Sequence, residues 1–310
     1  MNGFVVVDKP AGMTSHDVVS AVRRIAGQKK VGHTGTLDPF ATGVLPVALG
    51  EGTKAIPFLD ESVKEYHAVM RLGAATDTQD YTGKVVRESD WGHVTAVTLD
   101  EVCRLFAGKL SQVPPMFSAL KQSGVPLYKL ARQGTEVPRQ PREIEVHSLV
   151  FGAVNLPDVA FTVRCSRGTY VRTLANDMGE RLGCGAHLLQ LRRTMSGTFS
   201  IANAITLDDL AQRLKYDKTG ETLVSPYAVL SHLKELILTE KGAAKVVNGV
   251  VPSQEDYRVL YEGELLPGEL VRLSINGVLL AVAEAGLPVN GKMLKNLKLS
   301  RVFNLDNYFT

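Results

Sequence analysis

Residues 32–43 read GHTGTLDPFATG, in which three glycines, three threonines, one histidine and one proline surround a single acid, Asp38. No second acid lies in the segment to share general acid and base work, and metal-ligand spacing is missing. No lysine precedes a serine or threonine as in a Walker-type phosphate loop. Aspartate before proline favours an extended or turn conformation, and glycine permits positive φ. Taken alone, the segment is interpreted as a turn, and a chemical role for Asp38 depends on the rest of the chain.

Length and composition limit the classes of protein that the chain can represent. The 310 residues suggest two domains, because single cores stop growing before about 300 residues. With 45% hydrophobic and 22% charged residues, the composition is that of an ordinary soluble globular protein. The net charge of +3 permits a nucleic-acid partner without requiring one. Three cysteines without a CxxC pair, and no apolar segment near the ~20 residues of a membrane span, predict a cytoplasmic protein without a zinc site.

Hydrophobic periodicity predicts both strands and helices along the chain. Short apolar or alternating segments predict strands at Phe4–Val7, Lys64–Leu72 and Asp158–Cys165. Apolar residues at helical spacing predict a second helix over residues 98–110. The first helix is predicted between the first two of these strands. Its limits are indicated by a cap at Thr14 or Ser15, Asp17 in its first turn, and Gly27 after its end.

Tyr170 and Arg172 follow the glycine-containing segment 166–169 and lie in the first turn of a third predicted helix, which Gly183 ends. Side chains and free N–H groups at such a position face an anionic ligand. Tyr170 and Arg172 are therefore candidate site residues.

Residues 121–142 differ in composition from the rest of the chain. They contain five basic residues and one acid, Glu136, together with three prolines and two glycines. This pattern predicts an exposed arm with a short helix around Leu127–Arg132. A solvated excursion and a nucleic-acid clamp explain the composition equally well.

The last part of the chain has the pattern of a small β-rich domain. Residues Leu266–Ala285 alternate on either side of Asn276-Gly277, which predicts a β-hairpin. We assign residues 231–310 to this second domain and residues 1–230 to the first.

Several segments occur in an order that resembles a known family. They are DKPAGMTS (8–15), GHTGTLDPFATGVLPVALGEGTK (32–54), KEYHAVMRLGAATDTQDYTG (64–83), PPMFSALK (114–121) and CSRGTYVRTLANDMGERLGCGAHLLQLRR (165–193). Together they resemble the TruB family of bacterial tRNA pseudouridine synthases, which modify uridine 55 in the T-loop. Residues 231–310 more loosely resemble the PUA domain, a small RNA-binding β-barrel. The resemblance implies an α+β fold with a mixed, mostly antiparallel central sheet and helices around an RNA cleft.

The resemblance also implies catalytic roles. Asp38 corresponds to the family's nucleophile, and Arg172 to the arginine that pairs with it. Tyr170 is placed near C5 of the target base, where it assists the final deprotonation. The isomerisation loses no atoms other than an exchanged proton, so the family needs neither a metal nor another cofactor.

Four further residues are expected at the RNA. By resemblance, Tyr66 stacks on the flipped base, Leu191 lines the pocket, and His33 fills the gap that flipped bases leave in the T-loop. Lys9 is interpreted as a structural or phosphate-contacting residue. Without the resemblance, Tyr66 and Leu191 would be interpreted as core residues. A histidine that hydrogen-bonds its own loop is the alternative for His33.

The implied activity is that of a stand-alone monomer acting on the tRNA T-arm without guide RNA, protein partner or membrane. A guide-RNA-dependent synthase subunit of the archaeal and eukaryotic type is the first alternative, although the arm at 121–142 resembles the stand-alone form. A non-catalytic RNA-binding or tRNA-folding protein is the second. A hydrolase that uses Asp38 as nucleophile lacks a recognisable general base.

Overall fold

The computed structural model describes residues 1–216, 222–286 and 297–304. The strands are β1 (Gly3–Lys9), β2 (Val31–His33), β3 (Thr42–Leu49), β4 (Val63–Leu72), β5 (Ala74–Thr76), β6 (Val85–Glu88), β7 (Gly108–Gln112), β8 (Lys121–Gln122), β9 (Val125–Pro126), β10 (Arg142–Asn155), β11 (Asp158–Ser166), β12 (Ala186–Ser196), β13 (Phe199–Ser200), β14 (Lys234–Leu238), β15 (Tyr257–Val259), β16 (Leu270–Ile275), β17 (Val278–Ala285) and β18 (Leu297–Val302). The helices are α1 (Ser15–Ala26), α2 (Ala96–Leu105), α3 (Leu127–Arg132), α4 (Val171–Arg181), α5 (Leu207–Tyr216), α6 (Pro226–Val229) and α7 (Glu240–Val247).

The central sheet has the order β1-β3-β12-β4-β11-β10-β7, with β2 beside β3 and β13 beside β12. Within the described residues its pairings are antiparallel except for the short parallel contact between β12 and β3. The predicted mixed, mostly antiparallel sheet of an α+β fold is therefore confirmed.

Helix α1 follows from its local sequence. The hydroxyl of Thr14 accepts a hydrogen bond from the Asp17 backbone N–H, and the Asp17 carboxylate accepts one from the Thr14 backbone N–H, which completes a capping box. Gly27 ends the helix in the left-handed conformation at φ 62°. Val18 and Val22 are fully buried against the central sheet, as their spacing predicts.

The predicted helix over residues 98–110 is wrong in its second half. Helix α2 ends at Leu105, and Gly108 adopts a φ of 89° that interrupts the helical backbone. Residues Gly108–Gln112 then pair with Val146–Arg142 as the edge strand β7. The backbone hydrogen bonds of this strand are made with a segment about 35 residues further along the chain, so local periodicity did not reveal them.

The C-terminal part forms a separate five-stranded sheet with the order β15-β14-β16-β17-β18. Its predicted hairpin is present: Asn276 and Gly277 form the turn between β16 and β17, with φ values of 50° and 73°. This sheet is consistent with a PUA-like domain. An apolar cluster that includes Phe4, Leu279 and Phe303 packs it against the central sheet.

Two further findings concern the described part of the chain as a whole. None of its helices is long and apolar enough to cross a membrane. No three of its His, Cys, Asp or Glu side chains lie together in a group that could hold a metal ion.

Candidate active site

Asp38 lies on the loop between β2 and β3, and neighbouring elements fix this loop. The Ser15 hydroxyl, at the start of α1, accepts a hydrogen bond from the Leu37 backbone N–H at 2.8 Å and donates to the Leu37 carbonyl at 3.1 Å. The Ala41 N–H donates to the Asp38 carbonyl at 3.1 Å and closes the turn. The Asp38 side chain is 33% exposed, so it is held by protein contacts and is still partly open to solvent.

Arg172, at the start of α4, holds the Asp38 carboxylate at two points. Its Nε lies 2.8 Å from Oδ2, and its Nη2 donates to Oδ1 at 3.2 Å. The Arg172 side chain is only 4% exposed. One hydrogen bond and one close ion contact therefore hold the carboxylate against the guanidinium, in the pairing that the family resemblance implies.

A second carboxylate, Asp80, lies on the other side of Arg172 and was not predicted from the sequence. Arg172 Nη1 donates to the Thr78 carbonyl at 2.7 Å and lies 3.4 Å from Asp80 Oδ2, while Nη2 also donates to the Phe117 carbonyl at 2.8 Å. Asp80 is 4% exposed, and its Oδ1 accepts hydrogen bonds from Thr82 and Thr78. The sequence of this segment indicates only a turn.

Tyr170 caps α4, and Gln112 fixes its backbone. The Tyr170 N–H donates to Gln112 Oε1 at 2.8 Å, and Gln112 Nε2 donates to the Tyr170 carbonyl at 3.1 Å. Burial raises the pKa of the Tyr170 phenol. The phenol is therefore protonated near neutral pH. Gln112, the last residue of β7, is a second residue that the sequence did not reveal.

Tyr66 and Leu191 lie on the same face of the sheet. Tyr66 on β4 is opposite Arg193 on β12, and Ala68 is opposite Leu191, so these side chains point the same way. Tyr66 and Leu191 are each 7% exposed and share a core with Leu37, the residue before Asp38. Their positions fit a pocket wall beside the loop, and their contact with a base stays a prediction.

His33 and Lys9 lie close to the same loop in different environments. His33 ends β2 and is half-buried; its Nδ1 has no hydrogen-bond partner among the described residues, and burial lowers its pKa. Lys9 is fully buried, and its Nζ donates to the carbonyls of Pro10, Met13 and Pro39 at 2.8, 2.7 and 3.1 Å. For Lys9 these contacts favour the structural alternative over contact with phosphate.

The arm contains the predicted helix at Leu127–Arg132 and connects to the site at its base. The Tyr128 N–H donates to the Ser118 carbonyl at 3.1 Å, next to Phe117, whose carbonyl accepts from Arg172. The Arg132 guanidinium lies 5.5 Å from the centroid of the Tyr128 ring. The arm is thus joined to the Asp38–Arg172 pair through two consecutive residues.

Comparison with known proteins identifies the family. The model of the TruB family pseudouridylate synthase N-terminal domain matches residues 23–171, and that of the tRNA pseudouridylate synthase B C-terminal domain matches residues 172–239. The chain belongs to the TruB family. It is 79% identical over 310 residues to tRNA pseudouridine synthase B of Geotalea uraniireducens (strain Rf4), with all of both chains covered. It is 57% identical to the protein of that name from Geobacter sulfurreducens, covering 98% of this chain and 100% of the relative.

A solved structure supports the fold of this TruB-family chain. A protein from an H/ACA RNP bound to a substrate RNA containing 2'-deoxyuridine superposes with a TM-score of 0.75 and 27% identity. The match covers 99% of this chain and 87% of that protein. The TruB family comprises pseudouridylate synthases, and this chain is therefore an isomerase that forms pseudouridine.

The second carboxylate at Arg172 gives a first prediction for this TruB-family enzyme. Asp80→Asn removes a charge that helps to hold the guanidinium, while the amide keeps most of the hydrogen-bonding shape. We expect kcat to fall by about 10- to 100-fold, because small displacements of a positioning group have effects of this size. Pseudouridine formation and RNA binding, measured separately, should show the loss in kcat with little change in affinity.

Asp77→Asn is the matched control. Asp77 lies three residues before Asp80, is exposed, and accepts a hydrogen bond from the Lys84 backbone N–H. Equal rates in the two variants would show that Asp80 does not act through Arg172.

The pH dependence of the enzyme gives a second prediction. Burial raises the pKa of Asp38 above its ordinary value of 3.8; Arg172 opposes this rise and Asp80 adds to it. A nucleophilic carboxylate must be ionised, so the rate should fall as the pH drops through this raised pKa. Single-turnover rates should show an acid limb with its midpoint above 3.8. Arg172→Gln removes the favourable charge and should move that midpoint to higher pH.

Circular dichroism at each pH separates this ionisation from acid unfolding. An acid limb with the same midpoint in wild type and Arg172→Gln would refute the assignment of the limb to Asp38.

Proposed function

We propose that this chain converts uridine 55 in the T-loop of tRNA to pseudouridine as a stand-alone enzyme, with Asp38 as the nucleophile. The observation that supports this most directly is the two-point contact between Arg172 and the partly exposed Asp38 carboxylate. Such a carboxylate is positioned by protein on one side and accessible to a ligand on the other.

The reaction breaks the C1′–N1 glycosidic bond of uridine and forms a C1′–C5 bond. Uracil leaves with the electron pair of the broken bond, and the Asp38 carboxylate either adds to C1′ or takes a proton from C2′ to give a glycal. The base rotates, and C5 bonds to C1′ while the Asp38–C1′ bond breaks or, in the glycal route, Asp38 returns its proton to C2′. C5 then loses its proton, and N1 takes up a proton in its place. The atoms balance without an oxidant, a reductant or water.

Arg172 has two effects on this chemistry. Its charge opposes the increase in pKa that burial causes in Asp38, and so it favours the ionised nucleophile. Its fork also fixes the direction in which the carboxylate faces, which lowers the entropy cost of attack. Tyr170, at the preceding cap position of the same helix, is available as the group that assists removal of the C5 proton.

The target uridine lies within a folded RNA arm, so it must leave its stack before Asp38 can reach C1′. Unstacking costs a few kcal/mol, which contacts elsewhere must offset. We assign these contacts to Tyr66 and Leu191 at the base, His33 at the loop, and the basic arm at 121–142 on the RNA backbone. The arm adjoins the site through Ser118 and Phe117, which supports this assignment.

The proposal extends to the organisation of the chain. Residues 1–230 form the catalytic domain, and residues 231–310 form a PUA-like domain that contacts RNA. The enzyme acts as a cytoplasmic monomer. Relatives at 79% and 57% identity named tRNA pseudouridine synthase B favour a tRNA substrate, whereas the structural neighbour from an H/ACA RNP favours the guide-dependent alternative at only 27% identity.

The test is tritium release from tRNA labelled at uridine C5, using the purified chain without guide RNA or partner protein. We expect tritium release from wild-type tRNA and no release when position 55 is replaced by cytidine. A control tRNA with another T-loop uridine replaced should be modified normally. Bound tRNA without tritium release would overturn the stand-alone proposal, and release that survives replacement of position 55 would overturn the assigned target.

A further inference from the structure

Arg193, on β12, is a buried cation that the mechanism above does not use. It is 0% exposed, although its neighbour Arg192 faces solvent and pairs with Asp8. Among the described residues no carboxylate lies within ion-pair distance of Arg193. A buried charge without a counter-ion is unfavourable, so its hydrogen bonds must account for its presence.

The Arg193 side chain donates hydrogen bonds to carbonyl groups of the loop that carries Asp38 and of β3, the strand after that loop. Its Nε donates to the Val44 carbonyl at 2.7 Å, its Nη2 to Gly35 at 3.2 Å and its Nη1 to Thr36 at 3.5 Å. Gly35 and Thr36 come three and two residues before Asp38. The guanidinium thus fixes the segment that leads into the nucleophile.

The other end of the loop contacts the backbone of the same arginine. Gly43, with a φ of 98°, lies beside Arg193 in the parallel contact between β3 and β12. A Cβ at Gly43 would lie 2.2 Å from the Arg193 carbonyl oxygen, so glycine is required for this approach. Arg193 therefore contacts both ends of segment 35–43: its side chain contacts residues 35 and 36, and its backbone lies against Gly43.

Arg193 also adjoins the residue predicted to stack on the base. Tyr66 is its cross-strand neighbour, and while burial raises the pKa of the Tyr66 phenol, the charge of Arg193 opposes that rise. A second cation, Lys64, lies near the arginine: burial and the Arg193 charge both lower the pKa of Lys64, to about 8. The buried position of Arg193 is electrostatically unfavourable. Its hydrogen bonds to the loop carbonyls, and not ion pairing, explain this position.

We infer that Arg193 is a positioning residue for pseudouridine formation. It fixes the loop that carries Asp38 relative to Tyr66 without touching the reacting atoms. The inference rests on the proposed function. A lysine at this position keeps the charge but cannot donate in one plane to three carbonyls, so the planar fork is the required feature.

The test compares Arg193→Lys and Arg193→Met with Arg192→Lys and Arg192→Met as matched controls on the opposite face of the same strand. Single-turnover tritium release with enzyme in excess reports the rate constant of the active molecules. We expect it to fall about 100-fold for R193M and at least about 10-fold for R193K, because displacement by ~1 Å has effects of this size. Affinity for tRNA, and the midpoint of the acid limb, should change little.

A purely structural role would lower the melting temperature or the active fraction but leave the single-turnover rate constant and the acid limb unchanged. Single-turnover rates within threefold of wild type in both Arg193 variants would overturn the inference. If R193M does not fold, R193K decides; failure of both to fold would assign Arg193 to folding alone and also overturn it. Wild-type enzyme without activity on tRNA would instead refute the proposed function, which keeps the two failures distinct.

Discussion

Asp38→Asn is expected to abolish tritium release from C5-labelled tRNA while leaving tRNA binding within a factor of about three, because the substitution removes a nucleophile and keeps its shape. The loss in the single-turnover rate should be at least about 10⁴-fold, as for other enzymes that lose their nucleophile. The asparagine amide still fits beside Arg172, but it carries no negative charge and is a far weaker nucleophile toward C1′.

The control for this variant is Asp90→Asn, which removes an exposed carboxylate from a loop in the same domain. Its rate should equal that of wild type. A single-turnover rate above about 1% of wild type in Asp38→Asn would refute the assigned nucleophile, since residual catalysis from the other groups of a site is much smaller than that. Loss of tRNA binding together with activity would show that Asp38 acts in recognition.

The features that the sequence predicted correctly depend on local interactions. The capping box at Thr14 and Asp17 and the left-handed Gly27 set the limits of α1, and all three lie within the helix or next to it. The arm helix at Leu127–Arg132 and the Asn276-Gly277 hairpin are likewise determined by neighbouring residues. Each of these signals is contained in about a dozen residues or fewer, so sequence was sufficient.

The features that the sequence missed depend on contacts between distant segments. Arg172 lies 92 residues from Asp80, and Tyr170 lies 58 residues from Gln112. In its local sequence, Asp80 looks like an ordinary turn residue and Gln112 like an ordinary strand residue. The pairing of Arg172 with Asp38 was available before the structure only through the family resemblance, because no local pattern joins residues 134 positions apart.

Arg172→Lys is the second variant with a large expected effect, although it preserves charge. The guanidinium contacts both oxygens of Asp38, the carbonyls of Thr78 and Phe117, and Asp80. A lysine ammonium is a single point with three donors and cannot maintain these contacts in one plane. We expect the single-turnover rate to fall by about 10²- to 10³-fold, the range found when a preorganised donor is lost or misplaced by about 1 Å.

Charge and geometry are separated by comparing Arg172→Lys with Arg172→Gln. Lysine keeps the positive charge near Asp38, so the acid limb should stay close to that of wild type, whereas glutamine should shift it to higher pH. Arg181→Lys, at the exposed end of the same helix, is the matched control and should have a normal rate. If Arg172→Lys retains near-normal turnover, the planar fork is dispensable, and charge alone accounts for the effect of Arg172 on Asp38. If the rate falls while the acid limb stays in place, orientation of the carboxylate is the larger part of what Arg172 contributes.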